Sequence, residues 1–244
     1  MIMRINGLFA LIVLTSVLVS CNGNKATNNT SVQLDSLERK EILEHSPVLS
    51  PQKSLAAMQV EEGFEVQLVA AEPLVSTPIA LTFDKKGRIW VLEMVGYMPD
   101  TAGTGENQPN GKIVILEDKN GDGQIDNRKV FLDSLVLPRA ICLTDNGILV
   151  ADPPSLWFIE IKDDRPGKKT LVDAAYTSGT NVEHDANGLL RAMDNWIYSA
   201  NSEKRYRKKN GQWLTEFTRY RGQWGITQDD YGRLFYNNNS QNLL

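Results

Sequence analysis

The sequence predicts an all-β fold, a β-propeller of four-stranded blades, and three observations predict it. A unit consisting of a short apolar strand, a turn carrying Asp and usually Gly, and a strand rich in β-branched and aromatic residues occurs four times. The turn aspartates Asp84, Asp145, Asp194 and Asp230 are 61, 49 and 36 residues apart, the scale of one blade per repeat. No amphipathic helical pattern of globular length follows Ser54–Met58. A sandwich is the alternative all-β arrangement, but long self-similar units fit a propeller better.

The N-terminus comes first. Arg4 supplies a short positive region, Leu8–Val19 is mostly apolar but too short for a comfortable membrane span, and Leu18-Val19-Ser20-Cys21 closes it with small residues before a cysteine. That is a lipobox pattern, which predicts a lipoprotein signal peptide over 1–20 and lipid attachment at the Cys21 thiol. Residues 21–52 are rich in Asn, Ser, Thr, Lys and Glu and lack aromatic residues, so they are expected to form a flexible tether with one helical turn near Leu37–Leu43. The expected setting is the bacterial cell envelope, lipid-anchored and facing the periplasm. Residues 53–244 are expected to form the N-terminal part of the propeller.

The strands follow in order. Ile79–Phe83 and Ile89–Val91 flank the first turn, and Lys112–Leu116 and Lys129–Leu132 complete that blade. Ala140–Leu143 and Ile148–Val150 open the second, with Leu156–Glu160 and Lys169–Val172 outside them. Gly188–Leu190 and Trp196–Tyr198 open the third, and Gly225–Thr227 and Leu234–Tyr236 the fourth. The fourth lacks outer strands before Leu244, so the chain reads as the front of a longer propeller, since an open ring exposes unpaired strand edges.

Charge and cysteine content narrow the function. A net charge of -4 argues against nucleic acid, and the basic run Lys204–Lys209 is read as a solvated hairpin tip. Cys142 lies in the apolar run Ala140–Leu143 and is expected to be a buried core thiol. No Cys-x-x-Cys-His sequence occurs, so the chain carries no covalent haem.

Two local patterns suggest chemistry. Asp118, Asn120, Asp122 and Asp126 place oxygen side chains at positions one, three, five and nine of a loop with Gly123 at six, and Gln124 offers a backbone carbonyl. This matches most of a calcium loop, although Lys129 stands where an EF-hand has its bidentate Glu. His184 is the second candidate. The only other histidine, His45, lies in the polar tether, so His184 is the one plausible imidazole base. Glu203, just beyond the strand Trp196–Ser199, is expected to reach back and orient it, and Arg221 precedes the fourth inner strand at the corresponding entrance.

The segments Gly63–Val66, Ala70–Leu74, Gly87–Met94, Leu149–Asp152, Asn187–Leu189 and Gln223–Gly225 resemble the N-terminal propeller of the membrane-bound dehydrogenase family of Planctomycetes, Verrucomicrobia and Bacteroidetes. That family is often fused to helical repeats and a cytochrome c domain. More distantly, His184, Leu189, Asp194, Ile197 and Tyr198 are similar in spacing to soluble glucose dehydrogenase, a propeller that uses pyrroloquinoline quinone (PQQ) and calcium. The resemblance implies a sugar or alcohol dehydrogenase in which His184 abstracts the hydroxyl proton, Glu203 stabilises the imidazolium, Arg221 holds the quinone and a cytochrome c domain or partner takes the electrons. Gly222 departs from the Asn that follows the quinone-binding Arg in that family.

The rival expectation is a non-catalytic propeller, stabilised by calcium, that binds glycans or proteins through Trp196, Trp213, Trp224, Tyr206 and Tyr220. A lactonase is a third, with Glu93, Asn181 and Glu183 as loose metal candidates.

Overall fold

The computed structural model describes residues 34–178, 181–238 and 240. The expected signal peptide over 1–20, Cys21 and residues 22–33 of the expected tether fall outside the described residues. Where the sequence allowed one helical turn, α1 runs over Ser36–His45. The reason is a capping box: the Asp35 carboxylate accepts the N–H groups of Leu37 and Glu38, and Glu38 reaches back to the Asp35 N–H. A short α2, Pro51–Ala57, begins with Ser50 as its cap and Pro51 in the first turn, and Lys53 pairs with Glu38 at 2.8 Å. Among the described residues no helix is long and apolar enough to cross a membrane.

The rest is β-structure. Strands β1 (Pro78–Phe83), β2 (Ile89–Glu93), β3 (Gly111–Glu117) and β4 (Asn127–Leu135) form the first antiparallel sheet in that order. The second sheet is β5 (Ala140–Thr144), β6 (Gly147–Asp152), β7 (Ser155–Lys162) and β8 (Arg165–Asp173), and the third is β9 (Asn187–Arg191), β10 (Ile197–Ala200), β11 (Ser202–Lys209) and β12 (Gln212–Arg221). The pair β13 (Ile226–Gln228) and β14 (Leu234–Tyr236) begins a fourth. The first strands of the sheets, β1, β5, β9 and β13, neighbour one another in that order. The molecule is therefore an unclosed, propeller-like set of blades, as the repeat predicted.

The recurrent turn Asp has a local cause. The Asp84 carboxylate accepts the N–H groups of Lys86 and Arg88 and the Arg88 Nε, which closes the β1–β2 turn. Asp194 does the same for Trp196, and in the fourth unit the capping residue is Asp229, bonded to Tyr231, Arg233 and the Arg233 Nε, rather than its neighbour Asp230.

Blades adhere through apolar faces. Trp90, Ile113, Ile115 and Phe131 of the first pack on Ile141, Ile148, Val150 and Ile159 of the second, with Trp90 edge-on to Phe131 at 4.8 Å. Between the second and third lie Cys142, Leu149, Phe158, Ile197 and Tyr206. Cys142 is buried as expected, and burial pushes its thiol up to about 11.

The basic run is not a hairpin tip. It forms most of β11, and the tip is Asn210–Gly211. Tyr206 is buried in the middle of the run, its hydroxyl bonded to Asp173 of the second blade at 2.8 Å beside the Lys204–Asp173 pair at 2.7 Å. Lys204, Tyr206 and Lys208 share one face of the strand and Arg205 and Arg207, both over the Trp196 ring, share the other, an alternation that the charge count concealed.

Candidate functional site

The blades present two distinct ends. At one lie the turns, tied together by Lys85 and Arg191, which both reach Asp145, and by the Met193 N–H bonded to Gln228. At the other lie the segments that lead into β5, β9 and β13, and it is here that polar and aromatic side chains gather without an obvious packing purpose.

Buried polar groups fix this second end. Glu93, at the end of β2, is only 1% exposed and is held by Arg128 at 2.9 Å and by the Ser76 N–H at 3.0 Å. Arg139, before β5, meets Asp185 at 3.4 Å, and Asp185 also accepts the Ser178 N–H. Burial holds the Arg139 guanidinium below its ordinary value against the attraction of Asp185. The Tyr176 hydroxyl contacts Ser199 Oγ at 2.8 Å and donates to the Asn187 carbonyl at 3.1 Å.

On this base sits an exposed cluster. Asn187, 0% exposed, accepts the Trp224 N–H at 2.8 Å, while the Trp224 indole N–H donates to the Glu183 carbonyl at 3.2 Å. Trp224 has φ 64, a left-handed conformation that a bulky residue rarely adopts. Gln223 Nε2 lies 2.9 Å from the Glu183 carbonyl and 3.2 Å from His184 Nδ1. The Tyr97 hydroxyl donates to the Glu183 carboxylate, which raises the Tyr97 pKa. Tyr220 bonds to Asn201, and a cleft of about 450 Å³ runs past His184, Asn201, Tyr220 and Gln223.

The Gln223 contact favours one tautomer of His184. A carbonyl oxygen can only accept, so the Gln223 atom facing Glu183 O is its NH2 group; that same group faces His184 Nδ1 and donates to it. With Nδ1 accepting, the ring proton resides on Nε2.

The other sequence-derived residues are placed as follows. Glu203 is exposed on β11, and the polar partner that the described residues give the His184 ring is Gln223. Arg221, at the end of β12, donates to Thr218 Oγ1 and the Arg219 carbonyl and lies over the Tyr198 ring at 4.7 Å. Of the five aromatics considered for sugar stacking, Trp196 and Tyr206 are buried and Trp213 is half-buried, whereas Trp224 and Tyr220 are 39% and 50% exposed. Asn187 and Gln223, which organise the cluster, carry no catalytic signature; the one available signal was a polar residue beside Gly188 and Trp224 at two successive blade entrances.

In the Asp-rich loop, Asp118 accepts the N–H groups of Gly121, Asp122 and Gly123, Asn120 that of Asp122, and Asp122 that of Gln124. The Gly123 N–H leads in holding the Asp118 carboxyl below its ordinary range. These Asx turns order the backbone. The all-oxygen donor set suits a hard cation, but among the described residues no three His, Cys, Asp or Glu side chains come together as a metal site, and this holds for the Glu93, Asn181 and Glu183 neighbourhood too.

The fold defines a propeller-like all-β domain with polar and aromatic side chains gathered at its blade entrances. The chain belongs to a family described as a domain of unknown function, DUF7133, which matches residues 50–244. No curated protein matches the sequence. Among solved structures it is similar to a gluconolactonase from Xanthomonas campestris (13% identical, 70% of this chain and 57% of that one, TM-score 0.46). It is also similar to a luciferin-regenerating enzyme (11%, 64% and 52%, 0.41) and to virginiamycin B lyase from Staphylococcus aureus (13%, 71% and 71%, 0.35). The chain thus spans little more than half the length of the first two.

These comparisons correct the dehydrogenase expectation. The enzymes they name are a lactonase, a luciferin-regenerating enzyme and a lyase, with no quinone-dependent oxidoreductase among them. In the structure the His184 ring meets the Gln223 amide, and Arg221 lies against its own blade. A PQQ-dependent sugar or alcohol oxidoreductase passing electrons to a cytochrome is therefore not supported.

Proposed function

We propose that this domain is a glycan-binding module whose ligand sits at the blade-entrance face, on Trp224 and Tyr220, with His184 Nε2–H, Glu183 and Asn201 as hydrogen-bonding partners. The observation that carries this reading is the Gln223 amide bonded to both Glu183 O and His184 Nδ1, which makes the imidazole a donor to a hydroxyl oxygen. Exposed aromatic faces beside fixed donors and acceptors are the usual means of holding a pyranose ring: the ring's C–H face packs on the indole and its hydroxyls meet the polar groups. The left-handed backbone of Trp224, held by buried Asn187, fits a residue kept in place for a ligand.

Calcium belongs to this reading as a brace for the loop over 118–126. Asp118, Asn120, Asp122, Asp126 and the Gln124 carbonyl are its proposed ligands, and the charge it supplies there is structural. The test is isothermal titration of the full chain with neutral oligosaccharides, beginning with cellotriose, together with lactone and glycoside turnover assays. Saturable binding lost in Trp224→Ala, without turnover, is expected. Turnover abolished by His184→Ala would replace the binding module with a hydrolase.

A further inference from the structure

The turn end of the blades holds a feature that the glycan face does not explain. Between the second and third blades lies a cleft of about 480 Å³ whose walls include Phe158, Trp213, Arg191, Arg207, Lys208 and Lys209. Asp145 is the single acidic residue lining it, and that carboxylate is shared by Arg191 at 3.3 Å and Lys85 at 3.9 Å. Among the described residues, Arg207, Lys208 and Lys209 have no carboxylate within ion-pair distance, although Arg205 on the same strand is paired with Glu216 and Lys204 with Asp173. A chain of net charge -4 therefore concentrates unmatched positive charge at one cleft.

The cleft also has an aromatic wall. The Phe158 and Trp213 rings lie 5.4 Å apart at 52°, and the Lys208 ammonium is 4.2 Å from the Phe158 centroid and 5.8 Å from that of Trp213. Strand pairing sets Lys208 opposite Trp213, so the cation and the indole belong to one place on the β11–β12 ribbon. Asn146 and Asn195 line the same cleft and contribute side-chain amides.

A cation lying across two rings beside amide groups selects a ligand that is anionic at one edge and apolar on one face. We infer that this cleft binds an acidic saccharide, its carboxylate meeting Lys208 and Arg191 and its pyranose face packing on Trp213 and Phe158. The inference does not rest on the glycan site at His184: His184 precedes the start of β9, and Arg191 ends that strand, so the two sites lie at opposite ends of it.

The experiment is a titration of the full ¹⁵N-labelled chain with trigalacturonate, followed at the Trp213 indole resonance, which Trp213→Phe assigns. Cellotriose and inorganic phosphate are the comparison probes. The expected result is a saturable Trp213 shift with trigalacturonate, weakened at least tenfold in Lys208→Ala and in Arg191→Gln, and weakened as salt is raised. Both substituted side chains are solvent-exposed, and an unchanged circular dichroism spectrum verifies the fold. No saturable shift at Trp213, an equal response to cellotriose or to phosphate, or full affinity in both variants each overturns the inference. The Trp224 indole reports the other face in the same spectra, so failure at one site is distinguishable from failure at the other.

Discussion

Asn187 Oδ1 lies 2.8 Å from the backbone nitrogen of Trp224, and this single bond joins the start of the third blade to the start of the fourth. The Asn187 side chain works from both its atoms: its amide nitrogen also donates to the Asp185 carbonyl at 2.9 Å. A buried side chain that satisfies two backbone groups is a joint, and what it holds is the exposed indole of the proposed glycan face.

Replacement of Asn187 by Ala leaves the Trp224 N–H and the Asp185 carbonyl without partners, a loss of about 1–3 kcal/mol. Urea unfolding is expected to show this decrease, and cellotriose affinity is expected to fall although Asn187 is out of the ligand's reach. Asn187→Asp keeps the acceptor for Trp224 but loses the donor to the Asp185 carbonyl and buries a carboxylate, so it is expected to be destabilised as well. Equal affinity in the Ala variant would mean that Trp224 does not depend on this joint.

Calcium provides the second prediction. A cation that binds only the folded chain stabilises it by about 2.7 kcal/mol at one hundred times its dissociation constant. Calorimetry in calcium and in chelator is expected to show a higher Tm with calcium, and Asp118→Ala is expected to remove the difference. A melting temperature indifferent to calcium in the wild-type chain would leave the loop as a hairpin closed by its own Asx turns.

These two sites show how unevenly the sequence is legible. Strands and blades were readable because alternation and turn chemistry are local: Asp84 closes a turn with residues two and four positions on. Even the Lys204–Lys209 error was one of local pattern, since Tyr206 marked the buried face. The site was less readable because its contacts join residues far apart in the chain. Gln223 meets His184 across 39 positions and Tyr97 meets Glu183 across 86, separations at which spacing carries no information. Glu203 is near His184 in sequence, whereas the polar contact to the imidazole comes from the entrance to the next blade.

Arg88 links the first two blades through Asp164, with contacts of 2.6 and 2.8 Å, and also binds Asp84. The Arg88 hydrogen bonds hold the Asp164 carboxyl below its ordinary range. A folded pKa lower than the unfolded value of about 3.9 gives stability that is fully present above that value and is lost as pH falls through the folded pKa. Asp164→Asn is therefore expected to cost about 1–2 kcal/mol at neutral pH, and the difference from wild type is expected to shrink below about pH 4. Paired urea titrations across that range measure it; a constant difference would assign the effect to packing.

Gly147 tests the packing between strands. It opens β6, and a Cβ built there would stand 2.4 Å from the Ile159 carbonyl oxygen and 2.7 Å from the Phe158 ring. Neither neighbour can yield easily: Ile159 is paired in the middle of the second sheet, and the Phe158 ring is fixed between Trp213 and the Lys208 ammonium. Gly147→Ala is thus expected to destabilise the chain by about 2–3 kcal/mol, with no glycine-specific φ involved. Because the displaced ring is a wall of the turn-end cleft, the same substitution is expected to shift the Trp213 indole resonance before any ligand is added, while the Trp224 indole at the opposite end stays in place. An unfolding midpoint equal to that of wild type would show that the sheet can relax around Ile159 and that the close approach is not a constraint.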